Sequence, residues 1–422
     1  MKVLVVGSGA REHALVWKLA RETSVERVIC APGNPGIEEI APCHPIDSMA
    51  VTALVDFARR ERIDLTVVGP EQPLERGIAD AFAAAGLPLF GPTQSAARLE
   101  TSKAFAKQFM MRHGIPTARS LICRKPGEAN DAVAELGLPV AIKADGLAAG
   151  KGVTIATDHE TARVAIAAAM ISNQFGEAGR TLVVEEFLAG TEVSCFALCD
   201  GERALPLVAA QDHKRLFDQD RGPNTGGMGA FAPSPLVTDE VRDTVTRTIV
   251  RRVVEGMAHE GTPFQGVLYC GLMLTAEGPK VVEFNVRLGD PEAQVVLPLI
   301  DADVAPLMRD AAAGALRTTA VPIKPGVQVG VVLASAGYPG QAEVGLPISG
   351  LDHPARDFLV FHAGTRRAGE RIVTAGGRVL TVVAGGPDFN TAIERVYEGV
   401  GQISFPGMQW RSDIGKKAFP GT

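Results

Sequence analysis

The sequence predicts a multidomain protein of mixed α/β and α+β class, and three observations carry that prediction. The chain has 422 residues, too many for one ordinary hydrophobic core. Its N-terminal part alternates short apolar runs with helical stretches, the pattern of a parallel sheet covered by helices. Its C-terminal part is rich in strand-like runs and begins after a break at Pro322, Pro325 and Gly326.

The elements follow in order. Residues 2–6 read as a buried parallel strand, because their apolar run hardly alternates. Gly7-Ser8-Gly9 turns into a helix carrying His13, Leu15, Val16, Trp17 and Leu19. Strand-like runs at 27–30, 65–68 and 87–90 alternate with helical stretches at 49–60 and 77–85, which makes residues 1–100 an α/β lobe. A helix over 95–113 closes at Gly114 and Pro116. Strands at 140–143, 153–156 and 181–187, with a helix near 160–171, make a small α+β unit at about 117–190 that reads as a lid. Strands at 192–198, 268–274 and 280–286, a glycine-bearing loop near 219–230 and a helix at 239–259 complete a middle domain over 101–325. The C-terminal domain, 326–422, holds strands at 327–334, 358–362 and 378–384 and a helix at 389–403.

Composition excludes several function classes. At 46% apolar and 21% charged the chain is a folded protein, and a net charge of −6 offers no basic stripe for nucleic acid. The apolar start is too short for a signal peptide, and no apolar run is long enough to span a bilayer. Six scattered cysteines form no Cys-x-x-Cys pair and read as reduced, with the cytoplasm as the expected compartment.

Several motifs carry chemistry. Gly7-Ser8-Gly9-Ala10-Arg11-Glu12 nearly fits a dinucleotide fingerprint, but Glu12 stands where a third glycine permits close packing, which argues against nicotinamide. The amides after Gly9 remain a candidate phosphate cradle, with a plain tight turn as the alternative. Lys143 ends a buried strand and leads into a glycine loop with Gly146, Gly150, Lys151 and Gly152, suited to folding over a polyphosphate. It is not a Walker A loop: the glycine spacing is one residue short, and Gly152 replaces the Ser/Thr. Glu185, Glu186 and Leu188 lie at a strand end that suits adenine, and Glu192 suits a ribose. In Glu283-Phe284-Asn285-Val286-Arg287, alternation puts Glu283, Asn285 and Arg287 on one strand face. The first two are hard oxygen donors fit for Mg²⁺, and Arg287 is fit for a phosphoryl group or a carboxylate. Gln211-Asp212-His213-Lys214-Arg215 concentrates titratable groups, and Asn224–Gly229 lets backbone approach a ligand.

The order of these pieces resembles the ATP-grasp superfamily. Within it, Arg287-Leu288-Gly289-Asp290-Pro291-Glu292-Ala293-Gln294 looks like the signature of the phosphoribosylamine–glycine ligases. Gly7–Ala14, Gly69-Pro70-Glu71, Leu99-Glu100-Thr101-Ser102-Lys103, Gln211–Arg215, Asn224–Ala230 and Arg411-Ser412-Asp413-Ile414-Gly415 are similar to that family too, so the resemblance runs to about residue 418. It implies an ATP-grasp core with a mobile lid, and the use of ATP with Mg²⁺ or Mn²⁺. The implied substrates are glycine and 5-phosphoribosylamine, joined through glycyl phosphate. Lys103 and Lys143 would contact ATP phosphates, Glu283 and Asn285 would ligate the metal, and Arg287, Asp290 and Asp212 are the candidate catalytic residues. The implied protein is a monomer, with an oligomer left open, and no nucleic acid or membrane is a partner. One departure matters: where many relatives carry a further acidic ligand, this chain reads Cys270-Gly271-Leu272-Met273, which puts a second metal site in doubt. An ATP-binding protein without chemistry, the rival reading, would have lost Glu283, Asn285 or Arg287.

Overall fold

The computed structural model describes residues 1–147, 152–352 and 357–419. β1 (Lys2–Gly7), β2 (Arg27–Pro32), β3 (Leu65–Val68) and β4 (Leu89–Phe90) form a parallel sheet in the order β2-β1-β3-β4. Val3 and Val5 pack with Leu15 and Leu19 of the helix Ala10–Leu19, while Leu4 and Val6 pack with Phe57 and Phe82. Both sheet faces are therefore covered, which explains the unbroken apolar run.

The helix expected over 95–113 is two helices, Gln94–Thr101 and Lys103–Arg112. Ser102 between them is extended, and its hydroxyl accepts the Phe105 amide as a cap, so a new helix starts where one was expected to continue. β5 (Ser120–Cys123), β6 (Val140–Ala144), β7 (Val153–Ala156) and β8 (Leu182–Glu186) form an antiparallel sheet in the order β5-β8-β6-β7. Cys123, Val133, Ile142, Ile166 and Val184 belong to an apolar core of this unit's own, separate from the other cores.

β9 (Thr191–Asp200) and β10 (Ala204–Pro206) join two later strands, at 265–275 and 278–285, in a central antiparallel sheet. Before those two strands the chain forms β11 (Gln211–Asp212), β12 (Arg215–Phe217), β13 (Arg221–Asn224) and β14 (Gly229–Ala232). The expected loop at 219–230 is thus partly strand. β14 pairs with a strand of the C-terminal part at 327–334, and a Cβ at Gly229 would lie 2.6 Å from the Gly330 carbonyl, so the glycine there permits strand contact. β15 (Gln265–Thr275) and β16 (Gly278–Asn285) complete the central order β10-β9-β15-β16. The helix expected at 239–259 is continuous, with a π-helical stretch Thr246–Val250 between Asp239–Val245 and Arg251–His259.

β17 (Val327–Ala334), β18 (Leu359–His362), β19 (Thr365–Ala368), β20 (Arg371–Thr374) and β21 (Arg378–Gly386) make the strand-rich C-terminal part. Its sheet has the order β11-β14-β17-β21-β18, so two strands from the middle of the chain are built into it. A seam also joins this part to the first lobe. Asn34 Nδ2 donates to the carbonyls of Ser8 and His362, and the His362 amide donates to His13 Nδ1 at 2.8 Å. Burial, with His362 nearby, holds His13 well below its ordinary pKa, as an accepting ring nitrogen requires. All six cysteines are free, and among the described residues no helix is long and apolar enough to cross a membrane.

Candidate functional site

The lid sheet turns one face to its own core and the other to the middle of the molecule. Ile142 and Val184 point into that core, so their neighbours Lys143 and Glu185 point away from it. Lys143 Nζ lies 3.0 Å from Glu185 Oε2 and donates to the Val282 carbonyl of β16 at 3.2 Å. Lys107, on the helix Lys103–Arg112, lies 3.0 Å from the same carboxylate oxygen. One turn earlier, Lys103 donates to the Gly146 carbonyl, and Asp145 Oδ1 accepts the Ala104 amide, which docks the helix start on the glycine loop. Gly152 at the loop's far end accepts the Ala144 amide. Gly150 and Lys151 lie outside the described residues.

The central sheet presents a polar face to the same space. Register puts Ser194 of β9 and Glu283 of β16 on either side of Gly271 of β15, with Tyr269 paired to Asn285 two residues along, on the same face. A Cβ at Gly271 would come within 3.3 Å of Glu283 Cγ, so the position without a carboxylate is one where a side chain would crowd Glu283. Phe284 and Val286 are buried on the opposite face, as strand alternation requires. Lys214 contacts Glu192 directly and lies 3.9 Å from Glu283. Burial together with the negative neighbours Glu292, Glu192 and Glu283 pushes Asp212 up to about 8, against the pull of Lys214. Burial works against the charge of Glu283 as well, but Lys214, Lys103 and Lys143 outweigh it and hold its carboxyl below the ordinary range.

Arg287 is held on three sides. Its guanidinium meets Glu100 Oε1 at 2.8 Å, Asn285 Oδ1 at 3.1 Å and Glu71 Oε2 at 3.2 Å. Glu100 also accepts the Val286 amide, so one buried carboxylate fixes both the strand end and its arginine. Asp290 accepts from Gln294 and lies 3.4 Å from Arg378, whose guanidinium also donates to the carbonyls of Gly226 and Asp290. The Gly7–Gly9 turn closes this end. Glu12 accepts the Gly9 amide at 2.5 Å and pairs with Arg11 at 2.6 Å. A Cβ at Gly7 or Gly69 would collide with the Glu12 side chain, so the glutamate fills the space over the turn. The Gly9 amide is therefore engaged within its own helix cap, just ahead of the amides that form the candidate phosphate cradle.

The sequence-predicted residues fall into three groups. Lys103, Lys143 and Glu185 meet at the lid face, while Glu192, Asp212, Glu283 and Asn285 gather on the sheet face. Arg287 and Asp290 sit beside the N-terminal turn. Glu186 and Leu188 follow at the end of β8, where Glu186 accepts the Arg119 amide. His213 is fully buried against Phe231, and neither ring nitrogen has a hydrogen-bond partner among the described residues. Burial, with Lys417 and Arg411 near, pushes it down to about 3, so it is a neutral core residue. Sequence reasoning missed Lys107, although its spacing of four from Lys103 puts both on one helix face. It also missed Arg378, which no local signal marks.

Comparison with known proteins finds three family domains along the chain. Residues 1–100, 101–293 and 328–417 match the N domain, the ATP-grasp (A) domain and the C domain of phosphoribosylglycinamide synthetase. Phosphoribosylamine–glycine ligase of Allochromatium vinosum is 49% identical, with 99% of each chain covered. That of Streptomyces coelicolor is 48% identical over the same shares. Among solved structures, the Thermotoga maritima phosphoribosylamine–glycine ligase superposes with a TM-score of 0.84 at 33% identity, covering 98% of this chain and all of that one. A biotin carboxylase from Campylobacter jejuni, at 16% identity and a TM-score of 0.75 over 99% of this chain and 95% of its own, shares the fold. The chain accordingly belongs to the phosphoribosylglycinamide synthetase family, the phosphoribosylamine–glycine ligases.

Proposed function

We propose that this chain is a carbon–nitrogen ligase that joins glycine to 5-phosphoribosylamine, converting ATP to ADP and phosphate, and that it does so through glycyl phosphate. The observation that carries the mechanism is the facing of two polar surfaces: Lys103 and Lys143, from the helix Lys103–Arg112 and β6, and the Glu283–Asn285–Arg287 strand. Lys103 and Lys143 bind the polyphosphate of ATP. The backbone at the end of β8, Glu185 to Leu188, lines the adenine, and Glu192 meets the ribose once Lys214 shares it. Two oxygen donors, Glu283 and Asn285, fit a hard cation whose remaining positions phosphate oxygens fill. Among the described residues no group of three or more His, Cys, Asp or Glu converges to hold a metal unaided, which suits such a shared site. Mg²⁺ or Mn²⁺ bound there would neutralise charge on the terminal phosphates.

The glycine carboxylate attacks the γ-phosphorus, the bond to the β-phosphate oxygen breaks, and ADP leaves. The amine of phosphoribosylamine then attacks the acyl carbon of glycyl phosphate, loses a proton, and phosphate departs. Both steps bring anions together, so fixed cations must meet the charge as it develops. Arg287 is the arginine fixed for that task, since Glu71 and Glu100 restrict it to one position. Asp290 and Asp212 line the acceptor side, and the lid excludes water that would hydrolyse the acyl phosphate. A monomer suffices for this chemistry.

Glycine labelled with ¹⁸O in its carboxylate tests the route. One labelled oxygen is expected in inorganic phosphate, with unlabelled ADP, because the attacking oxygen stays on phosphorus. Label in AMP, with pyrophosphate released, would sink the glycyl phosphate route. Absence of ADP release with both substrates present would sink the ligase reading itself.

A further inference from the structure

Lys107 belongs to no expected motif, yet it is 2% exposed and its ammonium is doubly anchored. It lies 3.0 Å from Glu185 Oε2 and donates to Thr117 Oγ1 at 2.6 Å, and the Thr117 hydroxyl donates to the Val281 carbonyl at 2.7 Å. The same carboxylate oxygen receives Lys143 at 3.0 Å. A single buried carboxylate thus stands between two ammonium groups, one held in the scaffold and one at the tip of a lid strand. Its other oxygen, Oε1, has no hydrogen-bond partner among the described residues, so neither lysine is replaced by a second donor there.

We propose that Lys107 is a positioning residue for nucleotide binding: it neutralises Glu185 so that the Lys143 ammonium is left for the polyphosphate. The inference rests on the assignment of Lys143 to the nucleotide site. In a buried setting a carboxylate attracts a neighbouring ammonium far more strongly than in water. With Lys107 charged, the trio carries a net positive charge that an incoming anion can use. With Lys107 neutral, Glu185 turns wholly to Lys143, and the pair presents almost no field to ATP. Lys107 is a lysine whose proton can leave near neutrality: burial, followed by Lys143, lowers it to about 8 against the pull of Glu185 and Glu186. Glu185 and Glu186 on β8, Lys143 on β6, and Thr117 are the polar and charged groups that face it. A purely structural lysine would stabilise the fold without touching nucleotide affinity, and that difference is measurable.

The test compares steady-state KM for ATP and kcat in the wild type, Lys107→Met, Glu185→Gln and the double variant, at saturating glycine and phosphoribosylamine. Lys107→Met is expected to raise KM for ATP about tenfold with kcat little changed, the size of one charged hydrogen bond to phosphate. Adding Glu185→Gln to Lys107→Met should bring KM most of the way back, because no carboxylate then holds Lys143. The wild-type KM should rise from pH 7 to pH 9, and the Lys107→Met value should rise less over that range. An unchanged KM in Lys107→Met, or a double variant no better than the single, overturns the proposal. If Lys107→Met does not fold, a wild-type KM that is flat from pH 7 to pH 9 overturns it instead. Lys143→Ala separates this failure from that of the nucleotide-site assignment. Unchanged ATP affinity in Lys143→Ala removes the assignment, whereas weakened affinity there beside normal affinity in Lys107→Met removes only the role of Lys107.

Discussion

On one side of the site stand three lysines, Lys103 and Lys107 on the helix Lys103–Arg112 and Lys143 on β6, with one buried carboxylate, Glu185, which Lys107 and Lys143 share. On the sheet side four carboxylates, Glu192, Asp212, Glu283 and Glu292, stand against one ammonium, Lys214. Each surface alone is mismatched, and the mismatches are opposite in sign. A polyphosphate carrying a dication answers both, since its oxygens meet the lysines and its cation meets the carboxylates. The comparison teaches that a nucleotide with its cation would form a layer between two oppositely charged surfaces, neither of which is arranged for maximal stability by itself.

Three measurements break or sharpen this comparison. Glu283→Gln keeps the side-chain shape and removes a negative charge where the cation is expected. Turnover should fall by roughly a hundredfold, the upper end of losses at metal-site residues, with the unfolding midpoint little changed. Near-normal turnover at limiting Mg²⁺ would place the cation elsewhere and remove one half of the contrast.

Asp212→Asn probes the acidic side without ligand. The Asp212 carboxyl sits at about 8 in the folded chain, above its ordinary 3.8, chiefly from burial and secondarily from its negative neighbours. A raised carboxyl contributes stability below its unfolded pKa and loses it as pH climbs toward 8. At pH 7.5 most of that loss has occurred, so Asp212→Asn should stabilise the metal-free protein by about 2 kcal/mol, while activity falls. Its advantage should shrink as pH is lowered to 4. Denaturant unfolding of both proteins at the two pH values reads this, and an Asn variant that is less stable at pH 7.5 would contradict a crowded acidic surface.

Lys143→Ala, the smallest change expected, tests the lysine side. Loss of one charged contact to phosphate should lower kcat/KM for ATP by about tenfold, or about 1.4 kcal/mol. Unchanged nucleotide affinity would leave Lys143 outside the site.

Much of the architecture was legible in the sequence because its signals are local. The unbroken apolar run Val3–Val6 predicts a strand covered on both faces, and the alternation from Glu283 to Arg287 predicts a strand with one polar face. Both readings depend only on side-chain period. What sequence did not disclose depends on distant partners. Ser102 reads as one more helical residue until its hydroxyl is seen capping Phe105. The glycine-bearing segment at 219–230 reads as loop because β14 acquires its strand character from β17, about a hundred residues later. The candidate site divides in the same way. The oxygen donors Glu283 and Asn285 follow from period, whereas the sharing of Glu185 by Lys107 and Lys143 depends on a helix meeting a sheet. Arg287 reads in sequence as a partner for a phosphoryl group or a carboxylate, but its restraint by Glu71 and Glu100, each in a different segment of the first lobe, depends on the fold.

The seam made by Asn34, His13 and His362 bears on the order in which the molecule assembles. The first sheet closes from contacts within residues 2–90, which are short in sequence and fast to find. The bonds that tie its Ser8 turn to β18 span 328 and 349 residues, so they can form only after the intervening segments have collapsed. The turn beside Asp290 and Arg287 is therefore expected to settle among the last native features during refolding, well after the sheet beneath it. Helical and strand signals would then recover before ligase activity does, and the interval between them would measure the docking of the two ends of the fold.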